Sequence, residues 1–249
     1  MKVLRDRVAV VTGAAGGIGL AYAEAFVEEG MRVVLADIDA AALGASVDRL
    51  AAQGAPVHGV IVDVRDPDSV DALGRAVIDR FGALHVAVNN AGIVNRGLSW
   101  ELSVDDWRRV LDINLWGVIH GIRTFVPLVL DSGEEGHIVN TGSLASVNAL
   151  PRLGPYTAAK HGVLGLSDVL RAEFVEMGAP ISVTTVMPGR TLSRMNPIGE
   201  HPATGVARAV VDAIYNDRPY VFPDDEAREP IDRRLTAILA SRGDKETPA

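Results

Sequence analysis

The sequence contains no cysteine among its 249 residues. Disulfide bridges, thiolate zinc sites, iron–sulfur clusters and cysteine nucleophiles are therefore excluded, and the composition fits a reducing compartment. Basic residues are also scarce, since 24 Lys and Arg stand against 32 Asp and Glu and leave a formal net charge of −8. Because nucleic-acid binding needs a basic surface that neutralises phosphates, we expect no nucleic-acid partner.

Long uninterrupted apolar runs are missing as well. Residues 1–7 are charged and are not followed by a long apolar stretch, so a secretory signal is not predicted. Elsewhere Gly, Asn, Asp or Arg interrupts each apolar run before the ~18 residues that a membrane crossing requires. We therefore expect a cytoplasmic protein without a membrane partner.

The composition, with 48% hydrophobic and 22% charged residues, is typical of a folded globular protein. A chain of this length allows one domain or two. The absence of a composition break or a Gly/Ser linker favours a single domain over residues 1–249. Residues 241–249 have the composition of a solvated, flexible tail.

Short runs rich in Val, Ile and Leu alternate with longer segments of helical spacing. The runs lack polar alternation, which predicts strands buried on both faces. Strands that alternate with helices predict βαβ units and an α/β doubly wound Rossmann fold, with a seven-stranded, mostly parallel sheet. The predicted strands are 8–11, 32–36, 57–62, 85–89, 137–140, 182–187 and 220–222; the predicted helices include 19–29, 68–81, 104–130, 156–177 and 203–216.

A glycine-rich turn follows the first predicted strand. Residues 12–19 read Thr-Gly-Ala-Ala-Gly-Gly-Ile-Gly and lead into an apolar helix. Such a turn lets backbone N–H groups and a helix N-terminus approach a pyrophosphate closely. Its position between strand and helix favours a dinucleotide site. A tight turn without a ligand is the alternative reading.

Acidic residues follow the second and third predicted strands. Asp37 ends the second strand, where a carboxylate would accept hydrogen bonds from the adenosine ribose and repel a 2′-phosphate, so it favours NAD over NADP. Asp39 is explained as the cap of the next helix. Asp63 and Val64 end the third strand, where they would reach the adenine edge. An Asp at a strand end is a turn former more often than a ligand, so a turn-forming role for Asp63 is the alternative.

Tyr156 and Lys160 are four residues apart near the start of a predicted helix, so their side chains share one face. An ammonium beside a phenol favours the phenolate and lowers the phenol pKa, as a Tyr general acid/base requires. Ser143 follows the fifth strand, where its hydroxyl would hold a substrate oxygen. The alternative for Tyr156 and Lys160 is an ordinary surface pair. A hydrolase nucleophile at Ser143 is disfavoured, because its surroundings are not G-x-S-x-G.

These residues stand in an order that resembles the single-domain short-chain dehydrogenase/reductase family. The match covers nearly the whole chain. It comprises Thr12-Gly13-x-x-x-Gly17-x-Gly19, Asn89-Asn90-Ala91-Gly92, Asn114, Ser143, Tyr156-x-x-x-Lys160 and Pro188-Gly189.

The resemblance implies a role for each matching residue. Asn114, Ser143, Tyr156 and Lys160 would be catalytic, with Asn114 bending its helix and holding a water that links Lys160 to solvent. Ser143, Ala145, Leu150 and Tyr156 would contact substrate. The implied NAD-binding residues are Gly13, Ala15, Gly17, Ile18, Gly19, Asp37, Asp63, Val64, Asn90, Ala91, Gly92, Tyr156, Lys160, Pro188, Gly189 and Thr191.

The resemblance also implies a homodimer or homotetramer, because in the family the helices corresponding to 104–130 and 156–177 pack against a second subunit. The sequence departs from the family's habit at Arg190-Thr191-Leu192-Ser193. Arg190 could pair with a phosphate, hold an acidic substrate or point to solvent. Ser193 could take the place of a Thr hydroxyl near the phosphates. Residues 190–202 form a short predicted lid.

The predicted function is NAD-dependent interconversion of a hydrophobic secondary alcohol and its ketone, with a small molecule as the partner. The residues proposed to form the pocket wall are mostly apolar, which favours such a substrate. The alternatives are a 3-oxoacyl-thioester reductase acting on an acyl carrier protein and a non-enzymatic dinucleotide sensor. The six histidines show no metal-ligand spacing, so no metal site is predicted. The wall residues are Val94, Leu144, Ala145, Val147, Leu150, Leu192 and Met195.

Overall fold

A computed structural model describes residues 1–193 and 195–241 of the chain. It contains seven strands in one sheet and eight α-helices over these residues. The strands are β1 Val8–Thr12, β2 Arg32–Asp37, β3 Val57–Ile61, β4 Val86–Asn89, β5 Gly136–Thr141, β6 Ile181–Val186 and β7 Tyr220–Val221. The helices are α1 Gly17–Glu28, α2 Ala40–Ala51, α3 Pro67–Phe81, α4 Val104–Leu111, α5 Gly117–Asp131, α6 Gly154–Met177, α7 Ala203–Asn216 and α8 Arg228–Ala240.

The sheet is parallel throughout, with the strand order β3-β2-β1-β4-β5-β6-β7. The predicted α/β doubly wound fold and its seven strands are therefore confirmed. The order reverses beside β1, because the chain first builds outward through β2 and β3 and then returns to place β4 on the other side. At such a switch point the loops leaving β1 and β4 diverge and open a crevice for a ligand.

Alternate side chains of each central strand enter two different cores. Ala9 and Val11 of β1 face the core formed with α1, α2 and α7, whereas Val8 and Val10 face the core formed with α3, α5 and α6. All five residues of β1 are buried. This two-sided burial explains why the strand reads as a continuous apolar run in the sequence.

The predicted helix 104–130 contains a wide π-helical turn at Asp112–Trp116, between α4 and α5. Asn114 lies within it, and its Nδ2 donates to the carbonyl of Val110 at 2.9 Å and to that of Ile93 at 3.0 Å. A side chain that bonds the preceding turn and a neighbouring loop accounts for the local widening. The sequence-based expectation of a distorted helix at Asn114 is confirmed.

The combined helix Val104–Asp131 is long and apolar enough to cross a bilayer by length and composition alone. This corrects the expectation that every apolar segment is too short for that. Within the fold, α5 packs against β4, β5 and α3. Its apolar residues are accounted for by these contacts in an α/β domain.

Helix α8 was not predicted from the sequence. Its residues 232–240 are all exposed, and Leu235, Ile238 and Leu239 are each at least half exposed. The helix contains good helix formers. Because it buries little apolar surface, its sequence shows only a weak amphipathic pattern. Of the predicted tail 241–249, only Ser241 lies within the described residues.

The packing of α5 against β4 provides a stability test. A Cβ at Gly121 would lie 1.9 Å from Oδ1 of the buried Asn89, whereas a Cβ at the helical Gly165 of α6 meets nothing within 4 Å. We expect Gly121→Ala to lower the free energy of unfolding by about 2 kcal/mol through overpacking. Gly165→Ala should raise it by about 0.5–1 kcal/mol through helix propensity. Urea denaturation measures both, and equal effects of the two substitutions would contradict this packing.

Candidate active site

The glycine-rich turn lies at the crevice beside the carboxyl ends of β1 and β4. Gly13 and Gly17 have φ of +66° and +58°, and a Cβ at Gly19 would lie 2.1 Å from the carbonyl oxygen of Gly13. The Nδ2 of Asn90 donates to the carbonyls of Thr12 at 2.9 Å and Gly13 at 3.3 Å. The turn is therefore compact and is held against the end of β4.

The N-terminus of α1 opens from this turn without a side-chain cap. The cap position is Gly16, and the described part of the chain shows no side-chain cap hydrogen bond there. Unsatisfied N–H groups together with the helix dipole favour an anion at this point. The residues present therefore fit a dinucleotide pyrophosphate, as the sequence predicts for Gly13, Gly17 and Gly19.

Asp37 lies at the carboxyl end of β2, next to the turn. Its carboxylate accepts the N–H of Ala15 at 3.0 Å and the N–H of Asp39 at 3.0 Å. These bonds fix the carboxylate at the edge of the crevice, where the sequence places the adenosine ribose. Asp39 caps α2 by accepting the N–H of Ala42, which confirms its interpretation as a helix cap.

Asp63 lies beyond the end of β3 and is engaged by a neighbour. Arg65 donates Nε to both carboxylate oxygens, at 2.9 and 3.0 Å, and this pairing lowers the pKa of Asp63. The carbonyl of Val64 accepts a hydrogen bond from His120 Nδ1 at 2.9 Å. The turn-forming reading of Asp63 therefore has structural support, and the contact of Asp63 and Val64 with adenine stays a prediction.

Ser143 and Tyr156 meet at the carboxyl end of β5. Ser143 follows the strand and accepts the N–H of Ala145, while Tyr156 lies in the first turn of α6 behind Pro155. Burial raises the pKa of the Tyr156 phenol, and the hydrogen bond with Ser143 acts in the opposite direction. The two hydroxyls predicted to hold one substrate oxygen are thus neighbours.

Lys160 lies one turn after Tyr156 and is buried. Its Nζ lies 5.7 Å from the Tyr156 ring centroid and donates to the carbonyl of Thr141 at 2.7 Å. Burial lowers the pKa of Lys160 to about 8. In this structure the pKa of Tyr156 is raised, so the predicted lowering of that pKa by Lys160 stays a prediction. Desolvation of the phenolate is the largest effect on the phenol, and the ammonium is directed to a backbone carbonyl.

Asn114 faces the loop after β4. Its Oδ1 accepts the N–H of Ile93 at 3.3 Å, and a Cβ at Gly92 would lie 2.7 Å from the same oxygen. Within the described residues its side-chain hydrogen bonds go to Ile93 and Val110, so the relay to Lys160 stays a prediction. Asn90, Ala91 and Gly92 cover the crevice on this side.

The lid 190–202 is tied at its base to the segment after β7. Gly189 N–H donates to Asp224 Oδ2 at 2.9 Å, and the backbones of Leu192 and His201 pair at 2.7 Å. Strand β6 ends at Val186, so Pro188 and Gly189 lie just beyond it rather than on it. The two ends of this segment are therefore held together in a closed neck, and Thr191 is buried within that neck.

The Arg190 side chain forms ion pairs with two acidic neighbours. Its guanidinium pairs with Glu200 at 2.5 Å and with Glu226 at 3.7 Å. Glu226 also accepts His201 Nε2 at 2.8 Å. Glu200, His201 and Glu226 are close enough to hold a metal ion, but Arg190 already compensates both carboxylates, so we interpret the group as an ion-pair cluster.

Ser193 of the lid lies over the glycine-rich turn. A Cβ at Gly17 would lie 3.3 Å from the Ser193 Cβ. This position, beside the uncapped start of α1, fits the expectation that the Ser193 hydroxyl lies near the phosphates. Among the predicted substrate contacts, Leu150 is half-buried, whereas Ala145 has no exposed surface.

A buried polar chain behind the site was missed in the sequence. Asn89 Nδ2 donates to Asn140 Oδ1 at 2.9 Å, and Asn140 Nδ2 donates to Ser167 Oγ at 2.9 Å. These bonds join β4, β5 and α6. Ser143 follows β5, and Tyr156 and Lys160 lie on α6. Two Asn residues within apolar strands were the available signal, because buried amides need partners.

The sequence pattern of the short chain dehydrogenase family matches residues 7–201. The chain belongs to this family. It is 37% identical to 1-deoxy-11-beta-hydroxypentalenate dehydrogenase from Streptomyces avermitilis over 90% of this chain and 87% of that protein. It is 38% identical to cyclohexanol dehydrogenase from an Acinetobacter species over 74% of this chain and 72% of that protein.

A solved structure of the family resembles the whole chain. The short chain dehydrogenase/reductase from Burkholderia phymatum, in complex with NAD, superposes with a TM-score of 0.93. It is 32% identical, and each chain is covered completely. The family assignment makes this short-chain dehydrogenase an oxidoreductase with a Rossmann-type site for a nicotinamide dinucleotide.

The buried Lys160 of this dehydrogenase carries a stability cost that depends on pH. Its pKa is about 8 in the folded protein and 10.5 in the unfolded reference, so the cost is complete below pH 8 and is relieved between pH 8 and 10.5. We expect Lys160→Met to raise the free energy of unfolding at pH 7 by up to about 3 kcal/mol, because the shift is converted by 1.36 kcal/mol per pKa unit. The gain should shrink above pH 8.

Urea denaturation at a series of pH values measures this gain. Lys2→Met, at an exposed lysine, is the matched control and should show no such pH dependence. A gain for Lys160→Met that stays constant up to pH 10.5 would contradict the argument.

Proposed function

We propose that this dehydrogenase oxidises a hydrophobic secondary alcohol to its ketone with NAD, using Tyr156 as the general base. The observation that carries the proposal is the convergence of Tyr156, Ser143 and Lys160 beside the crevice of the glycine-rich turn. The hydroxyls of Ser143 and Tyr156 and the ammonium of Lys160 thereby lie at the same edge of the sheet as the turn that fits a pyrophosphate.

A nicotinamide dinucleotide, when bound, supplies the hydride acceptor. Ser143 Oγ holds the substrate hydroxyl, and Tyr156 Oη accepts its proton as the carbon–hydrogen bond breaks. Because burial raises the phenol pKa, Tyr156 needs a stabilising positive charge to act near neutral pH. Lys160, at 5.7 Å from the ring centroid, provides that charge when protonated. Asn114 holds the water that would return the proton to solvent.

The preference for NAD rests on Asp37. Its carboxylate is fixed by two backbone N–H groups at the carboxyl end of β2. A ribose 2′-hydroxyl can donate to this carboxylate, whereas a 2′-phosphate would meet like charge. The similar Burkholderia phymatum enzyme was solved in complex with NAD, which supports the same choice here.

The substrate class rests on the apolar residues around the site and on the relatives. Leu150 is half-buried and Leu192 and Met195 of the lid are half-exposed, so apolar surface is available to a substrate. The similar enzymes are named for a hydroxypentalenate and for cyclohexanol. We therefore propose a cyclic secondary alcohol.

We also propose a homodimer or homotetramer. Trp116 between α4 and α5 and Val169 and Val175 on α6 are each at least half exposed. Large exposed apolar residues on two long helices are typical of a subunit interface. Sedimentation equilibrium tests this state directly.

Cofactor choice is tested by Asp37→Ser. We expect wild-type kcat/KM to favour NAD over NADP. The substitution should reduce that ratio by about tenfold or more, because it removes the repulsion between Asp37 and the 2′-phosphate, and about 1.4 kcal/mol corresponds to a factor of ten. Asp39→Asn is the matched control, because Asn preserves the helix cap. A wild-type preference for NADP would contradict the role of Asp37.

The chemical step is tested by Tyr156→Phe with a cyclic secondary alcohol such as cyclohexanol. We expect kcat to fall about 10²–10⁴-fold, as for loss of a general base, while NAD affinity is kept. Tyr215→Phe, which removes a hydroxyl bonded to Glu29, is the control and should retain turnover. Full turnover by Tyr156→Phe would contradict the mechanism.

A further inference from the structure

Two carboxylates from the segment between β7 and α8 bond the backbone at the start of the lid. This segment lies outside residues 7–201, which match the family pattern. Asp224 Oδ2 accepts the N–H of Gly189 at 2.9 Å, and Glu226 Oε1 accepts the N–H of Arg190 at 3.4 Å. Two consecutive backbone N–H groups, where the chain leaves β6 for the lid, are therefore bonded by side chains from a distant part of the sequence.

Glu226 also contacts the far end of the lid. Nε2 of His201 lies 2.8 Å from Glu226 Oε1 and donates to it, because a carboxylate can only accept. Nε of Arg190 lies 3.7 Å from the same oxygen. The Glu226 side chain is only 25% exposed, so these contacts are partly shielded from water. One carboxylate therefore connects residues 190 and 201, the two ends of the lid neck.

Asp224 is itself held in place by Glu226. Its Oδ1 accepts the N–H of Glu226 at 3.2 Å, within the short 3₁₀ turn Asp225–Ala227. Asp224 thus bonds the lid through Oδ2 and the turn that carries the second carboxylate through Oδ1. Asp224 and Glu226 therefore form one unit, the acid pair.

The packing at Gly189 shows how closely the acid pair fits the lid. A Cβ at Gly189 would lie 2.9 Å from Asp224 Oδ1 and 2.9 Å from Glu226 Oε2. Gly189 does not have a positive φ, so backbone conformation is not what requires glycine here. The two carboxyl groups require it, because they occupy the space that a side chain would take.

The backbone held by the acid pair serves one end of the cofactor site. Gly189 follows β6, which is next to the strand that leads into Ser143, whereas Asp37 at the end of β2 lies four strands away. The hydride acceptor has to lie near Ser143, so the nicotinamide end of a dinucleotide lies on the Gly189 side. Thr191 is buried in the neck, and Ser193 lies over the glycine-rich turn.

We propose that Asp224 and Glu226 are positioning residues that hold the lid neck in the conformation that binds the nicotinamide end of the cofactor. The inference rests on the proposed function for the identity of the cofactor and adds two residues beyond the family match. A ligand binds more weakly when its binding conformation is only partly populated. The acid pair therefore sets cofactor affinity through Gly189 and Arg190, and does not take part in the chemical step.

The experiment removes each charge while keeping the size of the side chain. We expect Asp224→Asn and Glu226→Gln each to raise the Kd for NADH, followed by nicotinamide fluorescence, by about tenfold. This is the effect of replacing a charge-assisted hydrogen bond by a neutral one. KM for NAD should rise to a similar extent, whereas kcat should not fall, because a bound cofactor has already ordered the neck.

Asp225→Asn is the matched control, because Asp225 lies between the two acids, is exposed, and has no contact with the lid among the described residues. It should leave the Kd for NADH unchanged. Adenosine 5′-monophosphate, which has no nicotinamide, is the second probe. Calorimetry should give the same affinity for this nucleotide in all variants, since Asp37 lies at the other end of the site. A general loss of structure would weaken the binding of both ligands.

Arg190→Gln tests whether Glu226 acts through the lid. Arg190 is 62% exposed, so its substitution removes a partner of Glu226 without changing the packing on Gly189. We expect the Kd for NADH to rise in Arg190→Gln, and the double variant with Glu226→Gln to show less than the product of the two single effects. Urea denaturation establishes that each variant is folded.

The outcomes separate the acid pair from the proposed reaction. Unchanged Kd for NADH in folded Asp224→Asn and Glu226→Gln, or equal weakening of NADH and adenosine 5′-monophosphate, would overturn the positioning role and leave alcohol oxidation standing. Weaker NADH binding in these variants, beside a wild-type protein that oxidises no alcohol, would support the acid pair and overturn the proposed function. If an acid variant does not fold, an unchanged Kd in Arg190→Gln would overturn the positioning role.

Discussion

The reversal of strand order beside β1 is the constraint on which the site depends. Because β2 and β4 flank β1 in a parallel sheet, the loops that follow these strands emerge at one edge and separate around one crevice. That edge receives the glycine-rich turn, Asp37 and Asn90, and β5 adds Ser143 from the next position. Residues far apart in the chain thereby share one ligand site.

The same edge concentrates groups whose burial is unfavourable. Lys160 is buried with a lowered pKa, Tyr156 with a raised pKa, and Asn89 and Asn140 bond each other inside the sheet. Such groups reduce the stability of a fold, and they are tolerated where their chemistry is used. The surrounding two-sided apolar core supplies the stability that holds them in place.

Much of this arrangement could be predicted from the sequence. Burial is visible in the sequence, because strands such as 8–11 are continuously apolar and the helices show a 3.6-residue apolar spacing. The order of the short motifs places Ser143, Tyr156 and Lys160 at the carboxyl edge of the sheet. Contacts between distant segments could not be read in this way. The pairing of Arg190 with Glu226 depends on how the lid meets the chain after β7, and α8 shows little apolar spacing because it buries little surface. The direction of the Tyr156 pKa shift depends on how deeply the folded chain buries the phenol.

The most direct test of the account follows the hydride itself. The enzyme is incubated with NAD and cyclohexanol carrying deuterium at the carbinol carbon, and the isolated NADH is analysed by mass spectrometry. The account predicts NADH that carries one deuterium, together with cyclohexanone. Formation of the ketone with unlabelled NADH would contradict direct hydride transfer in the site formed by Tyr156, Ser143 and Lys160.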